Sequence, residues 1–189
     1  METYLALASL RALRTYEDRP IPEAVLGRIV DAGRVTGSSR NAQPWTFVVI
    51  EGERLGAVAE CVWEPGNLAG AAAAVAVVVG GKGPVMFDAG RAAQAMMLAA
   101  WDEGVGSCPN GVREAAALGE VLGLADGDQV ATVISMGYPV PARDPSRRSA
   151  AQWLAAAKRK SLDQVVRHLM LLSVSSRGEP SVREPGADD

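Results

Sequence analysis

Apolar residues recur along the chain with two periods. Leu5, Ala8, Leu10 or Ala12, and Leu13 trace a helical stripe through the first fifteen residues that runs out at Arg14. Pro20 and Pro22 break the chain. Val25, Leu26, Ile29, Val30 and Ala32 then mark one face of a helix from Glu23 to Val35, and Gly37-Ser38-Ser39-Arg40-Asn41 is rich in turn formers. Trp45 to Ile50 is predicted as a buried strand, followed by a short helix from Glu53 to about Cys61. Ala73 to Val79 predicts a second buried strand that ends at the plain turn Gly80-Gly81-Lys82-Gly83-Pro84. A long helix follows from about Phe87 to Glu103, with Met96, Met97, Leu98 and Trp101 in its apolar part, a stripe that reads as core. Val105 to Cys108 is a brief extended piece, Val112 to Leu122 a helix and Val130 to Met136 a strand. Helices alternating with four or five strands make an α/β or α+β layered domain.

Composition adds limits. The chain of 189 residues is 48% hydrophobic and 22% charged with a net charge of −3, which suits one soluble globular domain and gives no reason to expect nucleic acid or a membrane as partner. The weakly polar run from Leu68 to Val79 is well short of the roughly 20 residues that cross a bilayer. Glu2 and the lack of a basic start argue against a secretory leader. Cys61 and Cys108 have no metal or redox spacing, so a reducing cytoplasm is the expected setting. His168 is the sole histidine and falls in an expected amphipathic helix from Asp163 to Leu172, where packing or exposure suits it better than catalysis. With no His-rich metal set and no Gly-x-Ser-x-Gly elbow, an enzyme of this composition borrows its reactive group.

Four segments are equipped for one anionic, planar ligand. Arg11 and Arg14 stand three apart, a spacing that puts both guanidinium groups on one helical face, although a solvated helix end explains them as well. Ser38, Ser39, Arg40, Asn41 and Gln43 crowd five polar groups before a strand, more than an ordinary turn needs. Arg159 and Lys160 fall among seven basic residues between Arg143 and Arg167, suited to a phosphate monoester or simply to water. The glycines in Gly104-Val105-Gly106-Ser107-Cys108-Pro109-Asn110-Gly111 let main-chain N–H groups approach a ligand closely.

In their order these segments resemble the nitroreductase family of FMN-dependent oxidoreductases. The resemblance is carried by Arg11 to Tyr16 with Pro20 and Pro22, by Gly37 to Trp45, by Asp88 to Trp101 leading into Gly104-Val105-Gly106-Ser107, by Gly137-Tyr138-Pro139 and by Arg159 to Asp163. It implies an α+β fold, a sandwich with a central, mainly antiparallel sheet flanked by helices in an intertwined homodimer. Residues 1 to 172 would form the FMN-binding domain and 173 to 189 a disordered tail. Arg11 and the neighbouring Ala12 would approach the FMN phosphate or ribityl chain, and Arg14 the pyrimidine side of the flavin. Ser38, Ser39, Asn41 and Gln43 belong to the loop that family members offer across the interface. Pro109, Asn110 and Gly111 resemble the turn whose backbone N–H meets flavin N5, and Arg159 with Lys160 the C-terminal phosphate pair. The implied activity passes hydride from NAD(P)H through the flavin to a small electron-poor acceptor, a nitroaromatic or a quinone.

The chain also departs from the family. Leu10-Arg11-Ala12 stands where members commonly have Arg-Arg-Ser, which removes one cation and one hydroxyl, and the segment Glu64 to Ala74 is short for a substrate cover. A flavin-binding protein without catalysis, or a specialised enzyme of the same fold (a dehalogenase, a flavin-destroying enzyme, an azoline dehydrogenase), stays compatible with these residues. A Rossmann reading of the segment after Val79 fails, because no Gly-x-Gly-x-x-Gly follows and Pro84 intrudes.

Overall fold

The computed structural model describes residues 1–169. Met1–Ala157 forms one compact unit, and Lys158 onward a second. The first unit holds helices α1 (Thr3–Ser9), α2 (Glu23–Arg34), α3 (Arg54–Ala59), α4 (Val85–Asp102), α5 (Ala115–Leu122) and α6 (Ala150–Ala156). Its strands are β1 (Trp45–Ile50), β2 (Ala73–Val79), β3 (Gly106–Asn110) and β4 (Gln129–Gly137). They form one antiparallel sheet in the order β1-β2-β4-β3, so β1 and β3 lie at opposite edges. The expected α+β architecture is the one found.

Strand β2 shows why its sequence reads as a continuous apolar run. All seven residues are buried. Successive side chains point to opposite faces of a strand, so Ala73, Val75, Val77 and Val79 pack with α2 and α4 residues (Leu26, Ile29, Met96), while Ala74, Ala76 and Val78 pack with α3 and α5 residues (Val58, Leu118). With helices on both faces, neither side of the strand has use for a polar residue. Strand β1 differs from expectation: only Ile50 is buried and Thr46 and Val49 are exposed, because β1 is an edge with a single neighbour.

Helix α2 lies close on α4 because residue 33 has no side chain. A Cβ at Gly33 would meet Met96 Cγ at 2.9 Å and Phe47 Cζ at 3.1 Å.

The N-terminal helix is shorter than its stripe. Glu2 accepts hydrogen bonds from the Tyr4 and Leu5 N–H groups at the start, and the helix is over by Ser9, with Leu10 extended. From there the chain runs along the free edge of β3. Ala12 pairs in parallel with Ser107, and the Leu13 N–H donates to the Ser107 carbonyl at 2.9 Å. Arg11 and Arg14 therefore do not share a helical face: hydrogen bonding to the sheet edge overrides local periodicity.

In the second unit, α7 spans Leu162–Val165, started by a Ser161–Gln164 capping box. It ends well before the predicted Leu172, and His168 is exposed and non-helical. The expected tail, 173 to 189, lies outside the described residues. Among the described residues no helix is long and apolar enough to cross a membrane.

Candidate functional site

The β3 edge gathers two of the four sequence segments. Two glycines in the sheet make room for the incoming chain. A Cβ at Gly106 would stand 3.1 Å from Leu13 Cδ1, and one at Gly137 would stand 2.7 Å from both Cβ and Cγ of Tyr16. Gly106, one of the glycines expected to admit a ligand, instead admits Leu13, and Gly137 admits Tyr16. Only Gly111 of the predicted turn lies beyond a strand. Pro109 and Asn110 belong to β3 and pair with Ile134 and Val133, because the β4 ladder extends to them.

Asn110 is buried and its amide is committed inside the protein. Its Nδ2 donates to the Cys108 and Val133 carbonyls, each at 2.9 Å, and to Ser135 Oγ at 3.2 Å, while its Oδ1 accepts from Asn67 Nδ2 at 2.9 Å. Tyr16 joins the same network through its hydroxyl, which donates to the Leu13 carbonyl and lies 3.3 Å from Ser135 Oγ. Burial pushes the Tyr16 phenol up to about 12. Burial likewise raises the Cys108 thiol, opposed by the nearby Arg14 guanidinium. Asn67, Tyr16 and Ser135 were not singled out from sequence as site residues. Their polar atoms are only a signal once β3 and β4 are paired.

The two arginines differ in use. Arg11 turns back to the end of α1, where Nη1 donates to the carbonyls of Ala8 at 2.8 Å and Leu10 at 2.7 Å, and Nη2 to that of Trp153 at 3.3 Å. It thereby satisfies carbonyls that a helix end leaves unpaired. Arg14 is exposed and makes no ion pair among the described residues. Ser107 Oγ, on the residue that pairs with Ala12, is buried and has no hydrogen-bond partner among the described residues.

The serine-rich loop lies elsewhere, at the start of β1. Arg40, Asn41 and Gln43 all have positive φ, between 48° and 55°, a strained conformation for residues with side chains. Besides its own backbone turns, the loop is held by two side-chain acceptors: Ser38 Oγ accepts from the Gln43 N–H at 2.8 Å, and buried Asp88 on α4 accepts from the Ser39 N–H at 3.0 Å through Oδ2. The other carboxylate oxygen, Oδ1, has no hydrogen-bond partner among the described residues and lies 3.9 Å from Arg91 Nη1. Ser39, Arg40 and Asn41 remain exposed. Three strand spacings separate β1 from β3, about 14 Å at ~4.8 Å each, so the loop and the chain carrying Arg14 lie at opposite edges of the sheet. Arg159 and Lys160 fall in the second unit, exposed, ahead of the Ser161 cap.

The fold is that of nitroreductases. A crystal structure of a protein from Parabacteroides distasonis, provisionally named a NADH dehydrogenase/NAD(P)H nitroreductase, superposes with a TM-score of 0.77 at 23% identity, over 90% of this chain and 100% of that one. An FMN-dependent nitroreductase of Clostridium difficile R20291 gives 0.68 at 24% identity, covering 78% and 95%.

At the sequence level, the nitroreductase family model matches residues 7–82 and 81–138. A protein of Archaeoglobus fulgidus, also provisionally named a NADH dehydrogenase/NAD(P)H nitroreductase, is 32% identical over 145 residues, 71% of this chain and 83% of the relative. The chain belongs to the nitroreductase family of oxidoreductases.

Proposed function

We propose that this protein is an FMN-dependent oxidoreductase that carries hydride equivalents from NADH or NADPH to a small electron-poor acceptor, a nitroaromatic or a quinone. The observation that carries the reading is the pairing of Ala12 with Ser107, which fixes Arg11 and Arg14 beside β3 in a family of redox enzymes. The residues there fit a phosphorylated flavin: an exposed guanidinium at Arg14, the positive charge of a half-buried Arg11 whose Nη atoms cap carbonyls, and exposed main chain at Gly111. When bound, FMN supplies the two-electron chemistry between nicotinamide and acceptor.

The chain's own residues bind and orient. Arg11, with the main chain at Ala12, faces the phosphate end, and Arg14 holds positive charge at the pyrimidine edge, favouring the anionic form of the reduced cofactor. Gly111 presents its main chain to the isoalloxazine, while Pro109 and Asn110 act through the strand that holds it in place. Arg159 and Lys160 add phosphate cations. Ser38, Ser39, Asn41 and Gln43 complete the site from the partner subunit of a homodimer, a reading supported by their place at the edge opposite β3. A cytoplasmic setting keeps both buried thiols, Cys61 and Cys108, reduced.

Purified protein tests the proposal. It should carry FMN, lose the flavin's visible absorbance on addition of NADH or NADPH, and regain it with a quinone or nitroarene. Monomeric, colourless protein that takes up no added FMN overturns the reading. Flavin that stays oxidised under excess of both nicotinamides makes the protein a flavin binder without catalysis.

A further inference from the structure

The connection after β4 brings a second arginine to the ring that Arg11 touches. Trp153 on α6 is half-buried, and its indole N–H donates to the Pro145 carbonyl at 2.8 Å, closing the connection on itself. The Arg11 guanidinium carbon lies 5.6 Å from the Trp153 ring centroid and that of Arg148 lies 5.1 Å away, both within cation–π range.

Arg148 is placed from both sides. On one, Asp144 accepts hydrogen bonds from the Ser146 N–H at 2.9 Å and the Ser146 hydroxyl at 2.5 Å. On the other, Ser149 forms a capping box with Gln152 at the start of α6. Arg148 itself is exposed and has neither an ion pair nor a hydrogen bond among the described residues, whereas the Arg11 Nη atoms are committed to three carbonyls. The side chains flanking Arg11, those of Leu10 and Ala12, offer nothing to an anion.

We propose that Arg148 is a phosphate-binding residue of this site: with Arg11 across the Trp153 ring it forms a cation pair for the phosphomonoester end of the ligand, and Arg148 supplies the hydrogen bonds that Arg11 has given to the helix end. This rests on the flavin reading above. The basic stretch between β4 and α6 thereby brings to the site a cation that the N-terminal segment lacks.

The test compares FMN with riboflavin, which lacks only the phosphate, by titrating flavin-stripped full-length protein and following flavin fluorescence. Arg148→Gln should weaken FMN about tenfold, the scale of one charge-assisted hydrogen bond, and leave riboflavin within twofold of the parent. Arg148→Lys should recover part of the loss, and the neighbouring Arg147→Gln should change little. Unchanged FMN affinity in Arg148→Gln, or a parallel loss for both flavins, overturns the phosphate role while leaving the flavin reading intact. A parent protein that binds neither flavin overturns both.

Discussion

Gly137 lies directly against Tyr16: a Cβ added to the glycine would sit 2.7 Å from the tyrosine's own Cβ and Cγ. Side-chain rotation does not relieve such a contact, since Cβ is fixed by the backbone whatever Cγ does. The last residue of β4 thus decides whether the chain that carries Arg11 and Arg14 can lie along the sheet. Gly137→Ala should cost about 1–3 kcal/mol of stability, as overpacking of a filled site does, and should weaken FMN uptake along with it. Urea denaturation and flavin titration of the variant check both. Full stability with full uptake would show that the segment is not seated through this contact.

Tyr16 makes stability depend on alkaline pH in a defined window. Its phenol titrates at about 12 in the fold against an ordinary 10.0, chiefly because burial disfavours the phenolate. Below pH 10 the group is neutral whether the chain is folded or not, so its contribution is fully present. Between pH 10 and 12 the unfolded chain has lost a proton that the folded chain keeps, and stability falls as pH rises. Melting temperatures from pH 9 to 12 should show this decline, and Tyr16→Phe, which has no proton to lose, should flatten it.

In the proposed function, Arg14 places charge beside the reduced cofactor. Arg14→Ala should lower FMN affinity or slow flavin reduction by on the order of 2 kcal/mol, the worth of a charge-assisted contact. Because the side chain is exposed and without an ion pair among the described residues, the melting temperature of the flavin-free protein should hardly move. Unchanged flavin content and reduction rate would count against a role at the flavin.

Asp88 clamps a strained loop to α4. Three residues with positive φ follow Ser38 within five positions, and the carboxylate bond to the Ser39 N–H ties them to the helix. Asp88→Ala should free the loop, speeding hydrogen exchange at the amides of residues 39 to 43 and lowering stability by about 1–3 kcal/mol. Exchange rates equal to the parent's would show that the loop's own hydrogen bonds hold it without Asp88.

How much of the fold and site is legible in the sequence depends on where the deciding forces act. Strand β2 and helix α2 were placed almost to the residue, because a seven-residue apolar run and a 3.6-residue period are local signals that tertiary packing reinforces. The order of five motifs, of which Ser38 to Trp45 is the most specific, marks the family. Locality also explains the misses. Leu5, Ala8 and Leu13 look helical to Arg14, yet the edge of β3 offers hydrogen bonds that a helix past Ser9 would forgo. Pro109 and Asn110 read as a turn, but the β4 ladder reaches them.

The sequence by itself determined the alternation of elements, the two-faced burial of β2 and the residue types available for binding, since each follows from chemistry carried within a few neighbouring positions. The tertiary structure alone decided which of those residues meet. It set Arg14 beside Cys108, spent the Asn110 amide on a buried network, sent the Ser38–Gln43 loop to the opposite sheet edge, and brought Arg148 to the ring shared with Arg11. These are contacts between positions far apart in the chain. No local pattern encodes them, and the order of strands in the sheet does.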